Sequence, residues 1–358
     1  MANNSHSTYV YVGLGGEYPL IVGAPPIDLP PGGLYRRKDS EEEWIDISGG
    51  LPDGPQVRAL MVHPENPAMI FAGTQQGVYR SSDRGDNWEA LPSHQGEVWS
   101  LAAHPQNPDI IYAGYDQCTI DRSEDGGASW KTMNTSTVKF PNITMKPDEI
   151  CKRVIGISSD HANPSDMYGA IEVGGLVASR DGGENWESIT DGHYTRTGPV
   201  DLHGVKVNPA APGLVYIITQ LAMFRSRESG ANWEFVPIDE MFPGGSYCRD
   251  LVCAPNDPST MYLAAGAGGG SSPPGTIEEG VLLRSKDAGE TWNKVDIGET
   301  PPSRMFQIAI DPAEPSHVYC CAKDGQVYSS YDSGDTWSMS QVPGEMSRRH
   351  HVYPMVCG

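Results

Sequence analysis

The stretch Ser81-Ser82-Asp83-Arg84-Gly85-Asp86-Asn87-Trp88 contains the pattern Ser-x-Asp-x-Gly-x-x-Trp, which recurs along the whole chain. Further copies, two of them degenerate, stand at 37–44, 123–130, 179–186, 226–233, 285–292 and 330–337. The copy at 226–233 has Glu228 in place of Asp, and the copy at 37–44 keeps only Asp39 and Trp44. Seven of the eight tryptophans thus occupy one position of one motif, which indicates a repeat architecture.

Short β-prone stretches surround each motif, which we call the box. Around the box at 81–88 they lie at 57–63, 69–73 and 77–80, with a fourth at 88–91. Four strands per period, separated by Pro and Gly, are typical of one propeller blade. The sequence therefore predicts an all-β fold: a single seven-bladed β-propeller of four-stranded antiparallel blades, spanning residues 1–358 as one domain.

The box predicts the geometry of one turn in each blade, and the chain ends predict how the ring closes. We expect the box Asp to accept backbone N–H bonds, the Gly to supply a positive φ, and the Trp to pack its ring against the blade. No innermost strand precedes the strand at 9–13, and residues 349–357 form an unassigned β-prone stretch. We predict that this C-terminal stretch closes the ring as the innermost strand of blade one, with a bend or the end of the strand at Pro354.

Composition narrows the classes of partner. The formal net charge is −21, so nucleic acid is not expected as a partner, because it requires a concentrated positive face. No apolar run is long enough to span a bilayer, and no membrane partner is expected. Seven cysteines without regular spacing and a polar segment at 1–7 favour reduced thiols, no secretory signal and a cytoplasmic location. No cofactor and no metal is expected.

The boxes resemble the Asp-box (BNR) repeat family over residues 9–357. Relatives in that family include sialidases, xyloglucan-cleaving glycosidases, sortilin-type receptors and a photosystem II assembly factor. The resemblance implies the propeller fold and leaves function open, because the box is a structural motif. The Arg-Ile-Pro segment of sialidases is absent, and the xyloglucan enzymes pair two propellers where this chain holds one.

Long connections predict the functional face. They fall only between the second and third strands of a blade or between blades, and both kinds emerge opposite the boxes, around the mouth of the axial channel. The aligned openings of the innermost strands are polar or aromatic, and mostly cationic: Arg58, Trp99, Arg153, His203, Arg249, Arg304 and the cluster of Arg348, Arg349 and His350.

Crowded cations repel one another unless an anion lies among them, so we predict that this ring, with Asp116, binds substrate. An alternative is equally open: the arginines form internal ion pairs with Asp116, Glu172 or Asp324. His203 is the candidate general acid or base, because a histidine at this place titrates near neutrality. Glu172 and Tyr194 are the other candidate catalytic residues.

Three functions follow from these residues. The leading hypothesis is a cytoplasmic hydrolase or lyase acting on a small anionic molecule at the channel mouth. The second is a non-catalytic binding or assembly module that recognises an acidic protein segment. The third, which follows from the family resemblance alone, is an Asp-box glycosidase.

Overall fold

The computed structural model describes most of the chain in detail. The described residues are 7–16, 19, 21–25, 27–39, 41–140, 144–145, 149–190, 201–209, 211–219, 223–236, 247–267, 278–347 and 350–358. Three candidate site residues, Tyr194, Arg348 and Arg349, lie outside these ranges.

The described residues form four-stranded antiparallel sheets arranged as seven blades. In chain order the strands are β1 (Tyr9–Gly16), β2 (Gly33–Lys38), β3 (Ile45–Asp46), β4 (Ala59–His63), β5 (Asn66–Thr74), β6 (Gly77–Ser81), β7 (Glu89–Ala90), β8 (Val98–His104), β9 (Asn107–Tyr115), β10 (Ile120–Ser123), β11 (Lys131–Thr132), β12 (Val154–Ser159), β13 (Met167–Ile171), β14 (Gly175–Ser179), β15 (Glu187–Ser188), β16 (Leu202–Val207), β17 (Val215–Thr219), β18 (Met223–Ser226), β19 (Glu234–Val236), β20 (Asp250–Ala254), β21 (Asp257–Gly266), β22 (Gly280–Ser285), β23 (Asn293–Lys294), β24 (Met305–Ile310), β25 (Val318–Ala322), β26 (Gln326–Ser330), β27 (Ser338–Gln341) and β28 (His350–Cys357). A short 3-10 helix spans Asp116–Cys118.

Blade one has the order β28-β1-β2-β3, and blades two to seven follow as consecutive groups of four strands from β4 to β27. The innermost strands contact each other in the order β28, β4, β8, β12, β16, β20, β24 and back to β28, so the ring is closed. This confirms the predicted seven-bladed, all-β propeller.

The closure by the C-terminal strand is also confirmed. Val10 pairs with Cys357 and Gly16 pairs with His350, and the backbone groups of Tyr9 and Gly358 exchange hydrogen bonds of 3.0 and 3.1 Å. The register shifts between Val12 and Leu14, which leaves Tyr353 and Pro354 in an irregular segment of β28. A proline is tolerated there because a bulge frees its position from the regular ladder.

The box turns have the predicted geometry, with one addition. Asp83 Oδ1 accepts the N–H of Asn87 at 2.9 Å, and Gly85 has a φ of +94°. The box serine, however, does as much as the aspartate: Ser81 Oγ accepts the N–H of Gly85 at 2.7 Å. The serine bond persists in the copy with Glu228, where Ser226 Oγ accepts the N–H of Gly230 at 2.9 Å. The serine therefore holds the turn even where the aspartate is missing.

The core consists of apolar clusters between neighbouring blades. One cluster joins blades three and four and includes Tyr112, Ile120, Val177 and Trp186, all at most 1% exposed. Equivalent clusters lie at the other six blade interfaces. Burial of each large side chain contributes roughly 1.5–3 kcal/mol, so stability depends on every blade having two neighbours.

Glycines in the second strand of three successive blades let the next blade approach closely. A Cβ at Gly13 would lie 2.7 Å from Val57, at Gly73 2.6 Å from Val98, and at Gly114 2.7 Å from Val154. The partner in each case is a valine that opens, or just precedes, the innermost strand of the following blade. These contacts set how tightly the innermost strands surround the axis.

We predict that Gly114→Ala lowers the free energy of unfolding by about 1–3 kcal/mol, because the added methyl group overpacks a rigid blade interface. Gly156→Ala, on the innermost strand of blade four, is the matched control, since its Cβ would have no neighbour closer than 3.7 Å. Urea unfolding followed by tryptophan fluorescence measures both changes. Equal effects in the two variants would show that the interface has room to relax.

Candidate functional site

The innermost strands enclose an axial cavity of about 970 Å³. Of the predicted site residues it brings together Arg58, Trp99, Arg153, Glu172, His203 and Arg249. Asp116 lies beside it, with its Oδ1 3.7 Å from Nε of Arg153. Arg304 and His350 do not line the cavity. His350 is instead fully buried, with Nδ1 2.9 Å from the carbonyl oxygen of Glu345.

β-Bulges in the innermost strands aim side chains at this cavity. In β8, Val98 pairs with Tyr115 and Ser100 with Gly114, so Trp99 is an extra residue. The same shift in β16 makes His203 the extra residue. A bulge re-aims a side chain and twists its strand locally. Trp99 and His203 therefore reach the mouth through a backbone irregularity that their sequence alignment does not reveal.

Two of the ring arginines bind backbone carbonyls at the end of β1 and in the connection between β1 and β2. This connection, residues 17–32, is called the strap; its described residues are 19, 21–25 and 27–32. Arg58 donates to the carbonyl of Gly16, where the strap begins, at 2.8 Å. Arg153 donates to the carbonyl of Pro19 at 3.4 Å. The cations of blades two and four thus hold the strap over one side of the mouth.

The tip of the strap reaches the segment that precedes blade four. The N–H of Val22 donates to the carbonyl of Glu149 at 2.8 Å, and Ile21 forms a bridge with Ile150. Its base is held by Gln56, whose Oε1 accepts the N–H of Gly16 at 2.6 Å. The strap therefore crosses from blade one to blade four.

Internal ion pairs account for two ring arginines, as the alternative reading expected. Arg153 lies 3.1 Å from Glu172 Oε2 as well as near Asp116. Arg304 pairs at 3.0 Å with Glu278, an acid that precedes β22 and that the sequence reading did not single out. Carboxylates of the chain itself therefore balance the charges of Arg153 and Arg304, and substrate binding by these arginines stays a prediction.

Aromatic rings also contact four of the ring arginines. The guanidinium carbons of Arg58 and Arg153 lie 4.8 and 4.2 Å from the centre of the Trp99 indole. Those of Arg249 and Arg304 lie 4.4 Å from the centre of the Phe306 ring and 4.1 Å from that of Tyr247, respectively. The negative faces of the rings stabilise the cations, which explains how several of them share one mouth.

His203 is a buried, neutral histidine. Its Nδ1 lies 2.6 Å from the carbonyl oxygen of Cys248, so Nδ1 carries the proton and Nε2 is the free acceptor. Burial, helped by the charge of Arg249, lowers the pKa of His203 to about 3. The expectation that this side chain titrates near neutrality is wrong, because alignment of the strand openings does not show how deeply the ring is buried.

The group that titrates near neutrality is Asp201, two residues before His203 and also on the cavity wall. Burial and the negative charge of Glu172 raise the pKa of Asp201 to about 6, against the opposing effects of Arg249 and of the Val173 N–H. Asp201 is not among the residues predicted from the sequence, because only the cations at the strand openings were considered there. The signal was present: an acid stands just before β16 in a ring of otherwise basic openings.

Glu172, Asp201 and Asp250 line the cavity, and the first two differ in their charged neighbours. Glu172 forms an ion pair with Arg153, whereas burial raises the pKa of Asp201 to about 6. Such a pair can divide acid and base roles at one bond. Within the described ranges, no group of three or more His, Cys, Asp or Glu side chains could hold a metal ion. No helix in the described part of the chain is long and apolar enough to cross a membrane.

Several xyloglucanases are similar to this chain in sequence. No family model matches the chain. The xyloglucanase Xgh74A of Acetivibrio thermocellus is 25% identical over 229 residues, covering 53% of this chain and 25% of that protein. A xyloglucanase of Hypocrea jecorina is 24% identical over 352 residues, covering 86% of this chain and 36% of that protein. The chain therefore spans about a quarter to a third of the length of these relatives.

Solved structures share the fold. The GH74 xyloglucanase of Xanthomonas campestris aligns with a TM-score of 0.62 at 18% identity, over 92% of this chain and 55% of that one. The structure described as YCF48 bound to D1 peptide aligns with a TM-score of 0.56 at 18% identity, over 89% of this chain and 88% of that one. The chain is thus a seven-bladed β-propeller like these proteins.

These findings correct the leading functional hypothesis. An enzyme for a small anionic substrate is the wrong reading, because the curated relatives are xyloglucanases, which are named for a polysaccharide substrate. Of the expected reaction classes, hydrolase agrees with the relatives and lyase does not. The glycosidase alternative is the closer one.

We predict that the effect of Asp201→Asn on the free energy of unfolding is more favourable at pH 8 than at pH 4. A carboxyl group with a higher pKa in the folded state binds its proton more tightly there, so stability falls as the pH rises from about 4 to above 6. Removing this group should raise the stability at pH 8 by about 2 kcal/mol more than at pH 4. Urea unfolding at the two pH values measures the difference.

Asp83→Asn serves as the control of opposite sign. Hydrogen bonds from Asn87 lower the pKa of Asp83 to about 2, so its stabilising effect is present above about pH 4 and lost as the pH falls towards 2. This variant should be less stable than the wild type at pH 8. An Asp201→Asn protein that follows the same direction would contradict the raised pKa of Asp201.

Proposed function

We propose that the chain is a glycoside hydrolase that cleaves a xyloglucan-type oligosaccharide in the axial cavity. The names of its curated relatives support this substrate class. We also propose that it belongs to the Asp-box repeat family, which the recurring serine and aspartate bonds of its turns support.

The carboxyl pair of Asp201 and Glu172 carries the proposal. Hydrolysis of a glycosidic bond uses one protonated carboxylic acid, which protonates the leaving oxygen, and one carboxylate, which activates water or attacks the sugar. Asp201, with its pKa of about 6, fits the acid, and Glu172, which is paired with Arg153, fits the carboxylate. Water supplies the hydroxyl group of one product, and the proton from Asp201 completes the other.

The cavity wall suits a neutral sugar. The rings of Tyr247 and Tyr353 line it beside the acids, and aromatic faces pack against the apolar faces of pyranose rings. A volume of about 970 Å³ holds a short oligosaccharide rather than a long polymer. A cytoplasmic location remains part of the proposal, supported by seven cysteines of which none is in a disulfide bond.

We expect purified protein to release reducing ends from xyloglucan oligosaccharides, with activity falling above about pH 6 as Asp201 loses its proton. Asp201→Asn and Glu172→Gln should each lower kcat by about 10²–10⁴-fold, because each removes one proton-transfer or nucleophilic role. Glu184→Gln is the matched control, since Glu184 pairs with Lys131 on the box face at 2.8 Å. Wild-type activity that survives both cavity substitutions would exclude this pair as the catalytic groups.

A second candidate is the non-catalytic module that binds an acidic protein segment. Two observations favour it: the arginines at the mouth, and the coverage of 88% of the YCF48 chain by this one-propeller protein. Binding of an acidic peptide, measured by calorimetry, that weakens at least tenfold in Arg249→Ala would support it. Such binding in the absence of any hydrolysis would replace the glycosidase proposal.

A further inference from the structure

His203 presents one polar atom to the axial cavity. It is the extra residue of the bulge in β16, which turns its ring out of the regular strand pattern. Its Nδ1 lies 2.6 Å from the carbonyl oxygen of Cys248, and a carbonyl oxygen only accepts hydrogen bonds, so Nδ1 is the donor. The ring nitrogen that remains for other contacts is therefore Nε2.

Nε2 of His203 is open to the cavity, in contrast to Nε2 of His350. His203 lines the cavity and keeps 8% of its surface exposed. His350 is fully buried and does not line the cavity, and its Nε2 has no hydrogen-bond partner among the described residues. The second nitrogen of His203 can therefore bind a molecule in the cavity, and that of His350 cannot.

The surroundings of His203 keep its ring uncharged. The ring of Tyr247 lies 4.7 Å from it, centre to centre, and the guanidinium carbons of Arg304 and Arg249 lie 4.1 and 6.0 Å from the centre of that same Tyr247 ring. A third positive charge here would be repelled by both arginines and would lack hydration. Burial and the charges of Arg249 and Arg304 accordingly lower the pKa of His203 to about 3, against the opposing effect of the Cys248 carbonyl. At neutral pH, Nε2 therefore carries a lone pair.

The lone pair of Nε2 selects the kind of group that can bind beside it. A hydroxyl group donates its hydrogen to such an acceptor, whereas a carboxylate has no hydrogen to donate and is repelled by the lone pair. Neutral sugars carry hydroxyl groups around the pyranose ring, and uronic acids add a carboxylate. Asp201 stands two residues before His203 on the same cavity wall, so a sugar unit on Nε2 lies near the proposed acid.

We propose that Nε2 of His203 accepts a hydrogen bond from a hydroxyl group of the sugar unit bound in the axial cavity, and that it thereby favours neutral sugars over uronic acids. This inference rests on the proposed function for its substrate class. The low basicity of the ring favours binding over proton transfer as its role. The nearby charges of Arg153 and Arg304 do not call for an anionic sugar, because carboxylates of the chain pair with both.

The first test is nitrogen NMR of the histidine side chains. In the unliganded protein, His203 should show a protonated Nδ1 and an unprotonated Nε2, unchanged between about pH 5 and pH 8. The probe is a xyloglucan oligosaccharide with sulfur in place of oxygen between its glucose units, which resists hydrolysis. Saturation with this probe should shift the Nε2 signal of His203 in the direction of an accepted hydrogen bond and leave that of His350 in place. An oligogalacturonide of the same length should move neither signal.

Two substitutions separate the acceptor from the hydrogen bond that holds the ring. His203→Asn keeps a side-chain N–H that can donate to the Cys248 carbonyl, but it has no group at the position of Nε2. His203→Gln places an amide at that position. We expect the Kd of the sulfur-linked probe and the KM of the oxygen-linked oligosaccharide to rise about three- to tenfold in His203→Asn, with kcat nearly unchanged, and His203→Gln to restore part of the loss. Urea unfolding verifies that each variant is folded.

A protonated Nε2 in the free protein, or an Nε2 signal that does not respond to the bound neutral probe, would overturn the proposal, as would an equal response to the oligogalacturonide. The proposed function fails in a different way. Binding of the probe at Nε2 without hydrolysis of the oxygen-linked oligosaccharide would refute the glycosidase and retain the role of His203. Hydrolysis with an unaffected Nε2 would retain the glycosidase and refute that role, and a probe that does not bind at all would refute both.

Discussion

The pairing of β28 with β1 is the constraint on which the rest of the molecule depends. A single blade buries too little apolar surface to be stable, and each blade here shares its core with both neighbours. An open row of seven blades would leave two apolar faces and one unpaired strand edge in water. Because the innermost strand of blade one comes from the other end of the chain, the last apolar face is covered only when residues 350–357 pair with residues 10–16.

Closure also creates the site. The innermost strands surround a cavity only because they form a complete circle, and the glycine contacts at Gly13, Gly73 and Gly114 bring successive strands close to the axis. The bulges then turn single side chains towards the mouth. The result is a low-dielectric wall in which charges interact strongly, which is why burial can lower the pKa of His203 and raise that of Asp201 only two residues away.

The sequence predicts much of the fold, because the same turn-forming residues recur in the box of each blade. Seven tryptophans at one motif position count the blades, and an unassigned strand at 349–357 identifies the closure. The site was less readable. Pattern alignment located Arg58, Arg153, Glu172, His203 and Arg249 on the cavity, but it could not show which of them are satisfied internally. Carbonyl partners from the strap, ring stacking and burial depth depend on groups far apart in the sequence. An acid at position 201 is visible in the sequence, but its raised pKa depends on surroundings that only the folded ring creates.

The strap has a mechanical consequence. A ring of blades resists stretching around its circumference, because strand pairing and blade cores run that way, but a bare ring flattens easily across its diameter. The strap reaches from blade one to the segment that precedes blade four. Hydrogen bonds at Gly16 hold its base, and those at Pro19 and Val22 hold the part near its tip. The strap therefore acts as a chord across a circle: it links two blades that are not neighbours in the ring and opposes a change in the distance between them.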